Sequence, residues 1–282
     1  MTYIIMDIGG TKTRVATSDD LYNIKDISKF DTELTYEAGL KSLKKAITDI
    51  AKGNKIKGIA VGIRGPLNED RTGIENDTKL TNWAKKPIVT DLEKEYKVPV
   101  IIENDTALAG LGEAVMGAGQ GLEIVAYHTI STGVGGVKIE NGVIDSASFG
   151  FEPGHQIVDV DRTVLGQDIT PTLENLVSGT ALENRMGVKP YEIPQSDVIW
   201  DELAEYLASG LRNTTLYWSP DAIILGGSMI LGDPKIEIEP IRKYTVAVLD
   251  NFVPSPFITT AKLGDNAGLY GAMVLLRLRL EG

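Results

Sequence analysis

One short pattern occurs twice in this chain, and it limits the possible folds more than any other feature. Tyr3 to Met6 is an apolar run that ends at Asp7, then come Gly9-Gly10 and an alternating segment from Lys12 to Thr17. Strand, glycine turn, strand is a hairpin. Ile124 to Ile130 is again an apolar strand, followed by the glycine turn Ser131 to Gly136 (STGVGG) and a return strand at Val137 to Ile139. The interval from Gly9 to Gly133 is far longer than a solenoid repeat, whose period is about 20–50 residues. It suits a duplicated domain, each copy presenting one hairpin tip to a shared central cleft.

The remaining segments alternate between strand and helix. Leu40, Leu43, Ile47 and Ile50 recur at helical spacing, and Ile56 to Ile63 reads as a strand buried on both faces. Gly65-Pro66 ends that strand, and a polar loop from Leu67 to Lys86 follows, with Trp83 as its anchor to the core. Val98 to Ile102 is a further strand and Thr106 to Met116 a helix. Helices are expected at Thr172 to Arg185, Asp197 to Tyr217, Pro240 to Phe252 and Ala267 to Leu280, with strands at Ala222 to Leu225 and Phe257 to Lys262. Strands alternating with helices define an α/β fold. The expected division is 1–106 with 266–282 as one domain and 107–265 as the other.

The glycine turns suggest a ligand. Adjacent glycines let the backbone approach closely and take positive φ without penalty. Around the first turn, Thr11 adds a hydroxyl, Lys12 a cation and Asp7 a carboxylate, which together suit a polyphosphate and its Mg²⁺. Thr132 and the amides of STGVGG offer a second phosphate cradle. Glu103-Asn104-Asp105 follows a strand and opens a helix, where α/β folds place ligands. Asp105 there is either a base for a substrate hydroxyl or, with Asn104, a plain helix cap. Glu152 and His155 flank a Pro-Gly turn in FGFEPGHQ, Phe149 to Gln156. His128, in an apolar strand, reads as structural. Glu174 reads as a first-turn acid complementing its helix dipole, and Asp159 and Asp161 as neighbours on one strand face.

Charge and composition narrow the partners. With 28 basic and 39 acidic residues the net charge is −11, a field that repels nucleic acid and anionic lipid. There are no cysteines, so disulfides and thiolate metal sites are excluded. No apolar run reaches membrane-spanning length and no signal-peptide pattern is present, so the expected location is the cytoplasm.

Taken in order, these stretches resemble the ROK family of sugar kinases, within the actin-like (RNase H-like) ATPase fold. DIGGTKT at Asp7 to Thr13, IRGP at Ile63 to Pro66 and IENDTALAG at Ile102 to Gly110 carry the first half of the likeness. STGVGG, EPGH at Glu152 to His155, LENLVSGTAL at Leu173 to Leu182, ILGGS at Ile224 to Ser228 and GLYGAMVLL at Gly268 to Leu276 carry the second. The resemblance implies ATP and Mg²⁺ as cofactors, a small-molecule sugar as substrate and a homodimer. It implies that Asp105 is the general base, and that Gly65, Asn104, Glu152, His155 and Glu174 bind the sugar. It further implies that Gly9, Gly10, Thr11, Lys12, Thr132 and Gly133 hold phosphates, that Gly226 and Gly227 lie beside the adenosine, and that Asp7 meets Mg²⁺ through water.

Two departures stand out. Many members of the family follow the EPGH turn with a cysteine cluster that holds zinc, whereas Val158 to Thr172 here has no cysteine, so no zinc site is expected. Glucose-specific members usually carry asparagine where this chain has Lys79, and some N-acetylmannosamine kinases have a similar Thr-Lys-Leu. The expected acceptor is glucose, phosphorylated at its 6-hydroxyl. The alternatives are an N-acetylmannosamine or N-acetylglucosamine kinase and, in another class, a sugar-sensing regulator without catalysis. The charge and the few residues before Asp7 weigh against a DNA-binding regulator.

Overall fold

The computed structural model describes residues 1–147 and 150–281. Phe149, the first residue of the FGFEPGHQ stretch, and Gly282, the last of the expected first domain, lie outside the described residues. The chain forms two compact units, Met1–Val115 with Asp265–Gly282 and Met116–Gly264. The division between the units falls at 115/116 where 106/107 was expected, because all but the last residue of the helix after Asn104 groups with the first unit.

In the first unit, β1 (Thr2–Ile8), β2 (Lys12–Ser18), β3 (Ile27–Asp31), β4 (Ile56–Ile63) and β5 (Val100–Asn104) make a sheet in the order β3-β2-β1-β4-β5. β1–β2 and β2–β3 pair antiparallel, β1–β4 and β4–β5 parallel. β4 has its expected bounds and is buried along nearly its whole length. β3 was not expected: alternate residues of ISKFD are exposed, so this edge strand lacks the apolar run that reveals a buried one. β5 starts two residues later than expected, at Val100, and runs to Asn104, so Asp105 opens the next helix directly.

Helices α1 (Tyr36–Ala51), α2 (Ile88–Tyr96) and α3 (Asp105–Met116) belong to the same unit, as does the C-terminal helix Ala267–Glu281. α1 buries Leu43, Ala46, Ile47 and Ala51 against Ile4, Met6, Ile59 and Val61 of the sheet. Fully burying a side chain the size of Leu43 or Ile47 contributes about 1.5–3 kcal/mol, which is what holds a helix of ordinary propensity in place. The C-terminal helix meets α3 closely: a Cβ on Gly271 would fall 1.7 Å from the Leu108 carbonyl oxygen, so glycine alone permits the contact. Trp83 anchors the loop before α2: its indole N–H donates to the Glu33 carbonyl and its ring meets Tyr36 edge-on at 5.5 Å.

The second unit repeats the plan. β6 (Ile124–Ile130), β7 (Val134–Glu140), β8 (Val143–Ile144), β9 (Ala222–Gly226) and β10 (Phe257–Thr260) form a sheet in the order β10-β9-β6-β7-β8. Read from β8, this is the order of the first sheet, with antiparallel β6–β7 and β7–β8 and parallel β6–β9 and β9–β10. The duplication expected from the paired glycine turns is therefore a duplication of topology. This sheet order and these crossovers are those of the actin-like ATPase fold.

The helices of the second unit are α4 (Leu173–Val177), α5 (Gly179–Met186), α6 (Ile199–Trp218), α7 (Ser228–Leu231) and α8 (Ile238–Leu249). Leu203, Leu207 and Leu211 of α6 face the core, as their spacing requires. The single helix expected from Thr172 to Arg185 is broken. Ser178 is extended at ψ 156 and its hydroxyl accepts the Ala181 N–H, so it ends α4 and caps α5. Among the described residues, no helix is long and apolar enough to cross a membrane.

Candidate active site

In the first sheet, the parallel strands deliver the candidate residues in one row. Ile8 of β1 pairs with Ile63 of β4, and Ile63 with Asn104 of β5. Gly9, Arg64-Gly65 and Asp105 therefore leave the carboxyl ends of neighbouring strands at the same level, the place where open α/β sheets bind ligands.

Asn104, not Asp105, is the cap of α3: its side-chain oxygen accepts the N–H groups of Thr106 (2.9 Å) and Ala107 (3.1 Å). Its amide donates to the Gly65 carbonyl at 3.1 Å, which ties the end of β5 to the bend after β4. Gly65 takes φ +103, and a Cβ there would fall 2.8 Å from the Asn76 carbonyl oxygen, so the bend requires glycine.

With the capping task taken by its neighbour, the Asp105 carboxylate is left for other work. Oδ1 accepts the Thr106 N–H at 2.8 Å. Burial pushes its pKa above the ordinary carboxylate value; the Thr106 N–H and the Arg64 charge pull it back, and Asp77 raises it again. A half-buried carboxylate with raised basicity suits a general base.

The first glycine turn is closed by Gly9 N–H donating to the Lys12 carbonyl at 3.0 Å. Thr32 locks it, its hydroxyl donating to the Gly9 carbonyl at 2.8 Å and its N–H to the Thr11 carbonyl at 2.9 Å. Sequence reasoning missed Thr32 because the strand just before it, β3, is an exposed edge with no apolar run. Lys12, expected at a phosphate, is ion-paired with Asp31 on the surface. Asp7 accepts from Arg14 at 3.2 Å, and Arg14 also holds Asp265 at 2.8 Å. Burial first, and then the negative charge of Asp105, push the Asp7 pKa up to about 6 despite Arg14. A buried carboxylate whose charge Arg14 only partly offsets, and which spends one oxygen on that contact, fits an added cation such as Mg²⁺.

In the second unit, the STGVGG turn is built against three other segments. Val134 N–H donates to Glu174 Oε2 at 2.8 Å, and a Cβ on Gly133 would fall 2.6 Å from the same oxygen. The break at Ser178 lets the Gly179 N–H reach the Ser131 carbonyl at 2.7 Å. The hydroxyls of Ser131 and Ser228 share a hydrogen bond at 3.0 Å. Gly227, at φ +88, turns the chain from β9 into α7 so tightly that a Cβ would meet the Ile130 carbonyl oxygen at 2.3 Å.

These segments surround a cavity of about 280 Å³ lined by Thr132, Thr180, Glu183, Tyr191, Met229 and Asp233, among others. Of the residues expected at the nucleotide, Thr132 lines it directly, while Gly133, Gly226 and Gly227 shape the backbone around it. Sequence reasoning missed Glu183, Tyr191, Met229 and Asp233, which come from separate segments with no motif among them. The serine break before Gly179-Thr180 was the available signal.

Glu152 and His155 are exposed at the ends of a short 3-10 turn, Pro153–His155. That turn packs onto β7: a Cβ on Gly154 would meet the Val134 carbonyl oxygen at 2.2 Å, and one on Gly136 would meet Pro153 at 2.6 Å. The EPGH turn and Glu174 thus share β7 at Val134–Gly136 as their support.

His128 is fully buried, shares a hydrogen bond with Thr214 at 3.0 Å and stacks on Trp218 at 5.6 Å. Asp159 and Asp161 do not share a strand face. They lie in a turn, where Asp159 accepts the N–H groups of Thr163, Val164 and Leu165 and the Thr163 hydroxyl. Three successive loop residues wrap one carboxylate, which the alternation of the sequence concealed.

Two copies of one five-stranded plan, each with a glycine turn at its strand ends and one with a carboxylate at a helix start, define an actin-like ATPase-fold protein. The ROK family profile matches residues 3–279, and the chain belongs to that family. A fructokinase of Lactococcus lactis subsp. cremoris is 31% identical over 90% of this chain and 87% of its own. The ROK hexokinase of Thermus thermophilus superposes with a TM-score of 0.88 at 27% identity, covering 100% of this chain and 99% of its own. A ROK glucokinase of Streptomyces griseus, solved with glucose and AMPPNP, gives 0.79 at 27% identity, covering 99% and 100%.

Proposed function

We infer that this chain is an ATP-dependent sugar kinase, and propose glucose as the acceptor, phosphorylated at its 6-hydroxyl. The carrying observation is Asp105: a half-buried carboxylate at the start of α3, relieved of capping by Asn104 and level with the first glycine turn. Its raised basicity lets it take the hydroxyl proton as the sugar oxygen attacks the γ-phosphorus and the bond to the ADP oxygen breaks. Gly65 and Asn104, with Glu152, His155 and Glu174, are the proposed sugar contacts. Gly9, Gly10 and Thr11, with Thr132 and Gly133, are the proposed phosphate contacts. The Thr132-lined cavity is of a size to accept a nucleoside. Asp7 would hold Mg²⁺ through water, and the ion, when bound, offsets phosphate charge. Phosphoryl transfer asks mainly for positioning and charge stabilisation, the tasks proposed for these residues.

An N-acetylmannosamine acceptor is favoured by one observation: Lys79 replaces the asparagine of glucose-specific members and lies against Gly10. The test is ADP release across glucose, mannose, fructose, allose, N-acetylglucosamine and N-acetylmannosamine, with fructose included because of the Lactococcus relative. Asp105→Asn should bind the sugar as wild type does and lose at least ~10²-fold in kcat. Near-normal turnover in that variant removes the base assignment.

A further inference from the structure

The segment between β4 and α2 brings two cations to the first glycine turn and fixes both through one carboxylate. A Cβ on Gly10 would fall 3.0 Å from Lys79 Cβ and 3.3 Å from Arg64 Cδ, so both stems lie against the turn. Asp77, whose side chain is only 6% exposed, accepts Arg64 Nε at 2.9 Å on one oxygen. Its other oxygen accepts the N–H groups of Lys79 and Leu80, each at 2.7 Å. The Arg64 N–H donates to the Ile8 carbonyl at 3.1 Å, which pins the start of that side chain beside the end of β1.

This arrangement leaves hydrogen-bond donors to spare. Asp77 engages Arg64 only through Nε, so the two terminal guanidinium nitrogens have no partner among the described residues. Lys79 Nζ likewise has none among them. The contrast with Lys12 is informative, since that lysine of the turn itself is neutralised by Asp31. In a chain of net charge −11, an unpaired lysine and a guanidinium with both terminal nitrogens open, held against one glycine turn, call for an anion there.

We propose that Arg64 and Lys79 clamp the phosphoryl group during transfer, with Asp77 as the residue that positions both. The proposal rests on the sugar-kinase reading. In the step it serves, the sugar oxygen forms its bond to the γ-phosphorus while the bond to the bridging oxygen of ADP breaks. The hydroxyl proton passes to Asp105. Charge accumulates meanwhile on the three equatorial oxygens and on the departing ADP oxygen. A guanidinium with two free donor nitrogens and a mobile ammonium match that distribution, and they act mainly when it develops. Gly10 holds one side of this space. The charges of Arg64 and Asp77 both bear on the Asp105 carboxylate.

The test pairs steady-state kinetics with titration of ADP in the presence of aluminium fluoride, a mimic of the phosphoryl group in flight. Arg64→Gln should lower kcat by about 10²-fold or more, and Lys79→Met by about 10-fold, with sugar KM and ADP affinity within about threefold of wild type. Both should weaken the ADP–aluminium fluoride complex by matching factors, and Arg64→Lys should recover part of the loss. Asp77→Asn should reproduce the Arg64→Gln kcat defect while its circular dichroism melt stays cooperative.

Unchanged kcat in both cation variants overturns the proposal. So does a rise in KM for the acceptor at constant kcat, which would make the pair a site for an anionic substrate. If wild type releases ADP with no sugar, the parent reading fails on its own. The titration then still decides the clamp, and equal affinity of wild type and Arg64→Gln for the mimic removes it.

Discussion

The Glu174 carboxylate accepts the backbone N–H of Val134 at 2.8 Å, so an acid in the first turn of α4 is bound to the second glycine turn. The helix dipole already favours a negative charge there, and the N–H shares in that preference. One oxygen is used on the turn and the other has no partner among the described residues, which makes Glu174 a brace as well as a proposed sugar contact. Glu174→Ala should therefore weaken both nucleotide and sugar binding, by roughly 1–3 kcal/mol at the turn. Glu174→Gln should be milder for the nucleotide because its amide oxygen can still accept. Calorimetry with each ligand checks this; a loss confined to the sugar would show that the turn stands without its brace.

The pH dependence of turnover should carry the mark of Asp105. Catalysis needs the carboxylate, and burial raises its pKa above the ordinary value of 3.8. The acid limb of kcat/KM should accordingly lie above that of an exposed aspartate. Removing the nearby positive charge in Arg64→Gln should move the limb further up, because Arg64 is one of the groups that lowers the pKa. A profile with no acid limb above the usual carboxylate range, or one that shifts down in that variant, argues that a different group takes the proton.

Much of the fold was legible because apolar runs and glycine turns announce buried parallel strands and their ends. Ile56 to Ile63 is an example, read at its true bounds. What escaped depends on contacts between distant segments. β3 alternates half-buried and exposed residues too weakly to signal a strand, yet it brings Thr32 to the glycine turn. The break at Ser178 was hidden by an apolar pattern that continues across it, although Ser-Gly is good helix-capping chemistry. At the candidate site, Asp7, Gly10, Gly65 and Asp105 were visible because they end strands. The roles of Asp77 and of Asp159 were not, since each is defined by the donors that fold around it.

The buried histidine predicts a stability limit. Burial drives the His128 pKa down from 6.5 to about 4, with Nε2 on the Thr214 hydroxyl and Nδ1 without a partner among the described residues. Because the folded-state value lies below the unfolded one, the stability tied to neutral His128 is intact above about pH 6.5. It declines as pH falls toward 4, by a total of ~3 kcal/mol. Urea midpoints of wild type should drop across that window. His128→Phe, which retains a ring against Trp218, should show a shallower decline even if its midpoint at pH 7 is lower. Parallel pH curves for the two proteins would assign the acid sensitivity elsewhere.

The loop after the EPGH turn has its own means of closure. Asp159 gathers three backbone N–H groups and the Thr163 hydroxyl, and these contacts, led by the Leu165 N–H, hold its pKa down at about 2. Arg162 answers from the other side, donating to the carbonyls of Gly166, Gln167 and Ile169. A carboxylate collecting donors and a guanidinium collecting acceptors can fold a short irregular segment without a metal, in the stretch where many relatives place zinc-binding cysteines. Asp159→Ala leaves at least four donors without their acceptor, so residues 159–165 should exchange amide hydrogens faster while the sheet amides keep their protection. Sugar affinity should fall with it, because the loop returns to α4 through the Val158 and Asp159 N–H groups on the Pro171 carbonyl, just ahead of Glu174. Nucleotide affinity should change less. The folded-state pKa lies below the unfolded one, so this contribution is present above about pH 4 and fades as pH falls toward 2. Chelation of zinc with Mg²⁺ restored should leave wild-type activity intact; a loss of activity that added zinc reverses would overturn the carboxylate's role as the closing group.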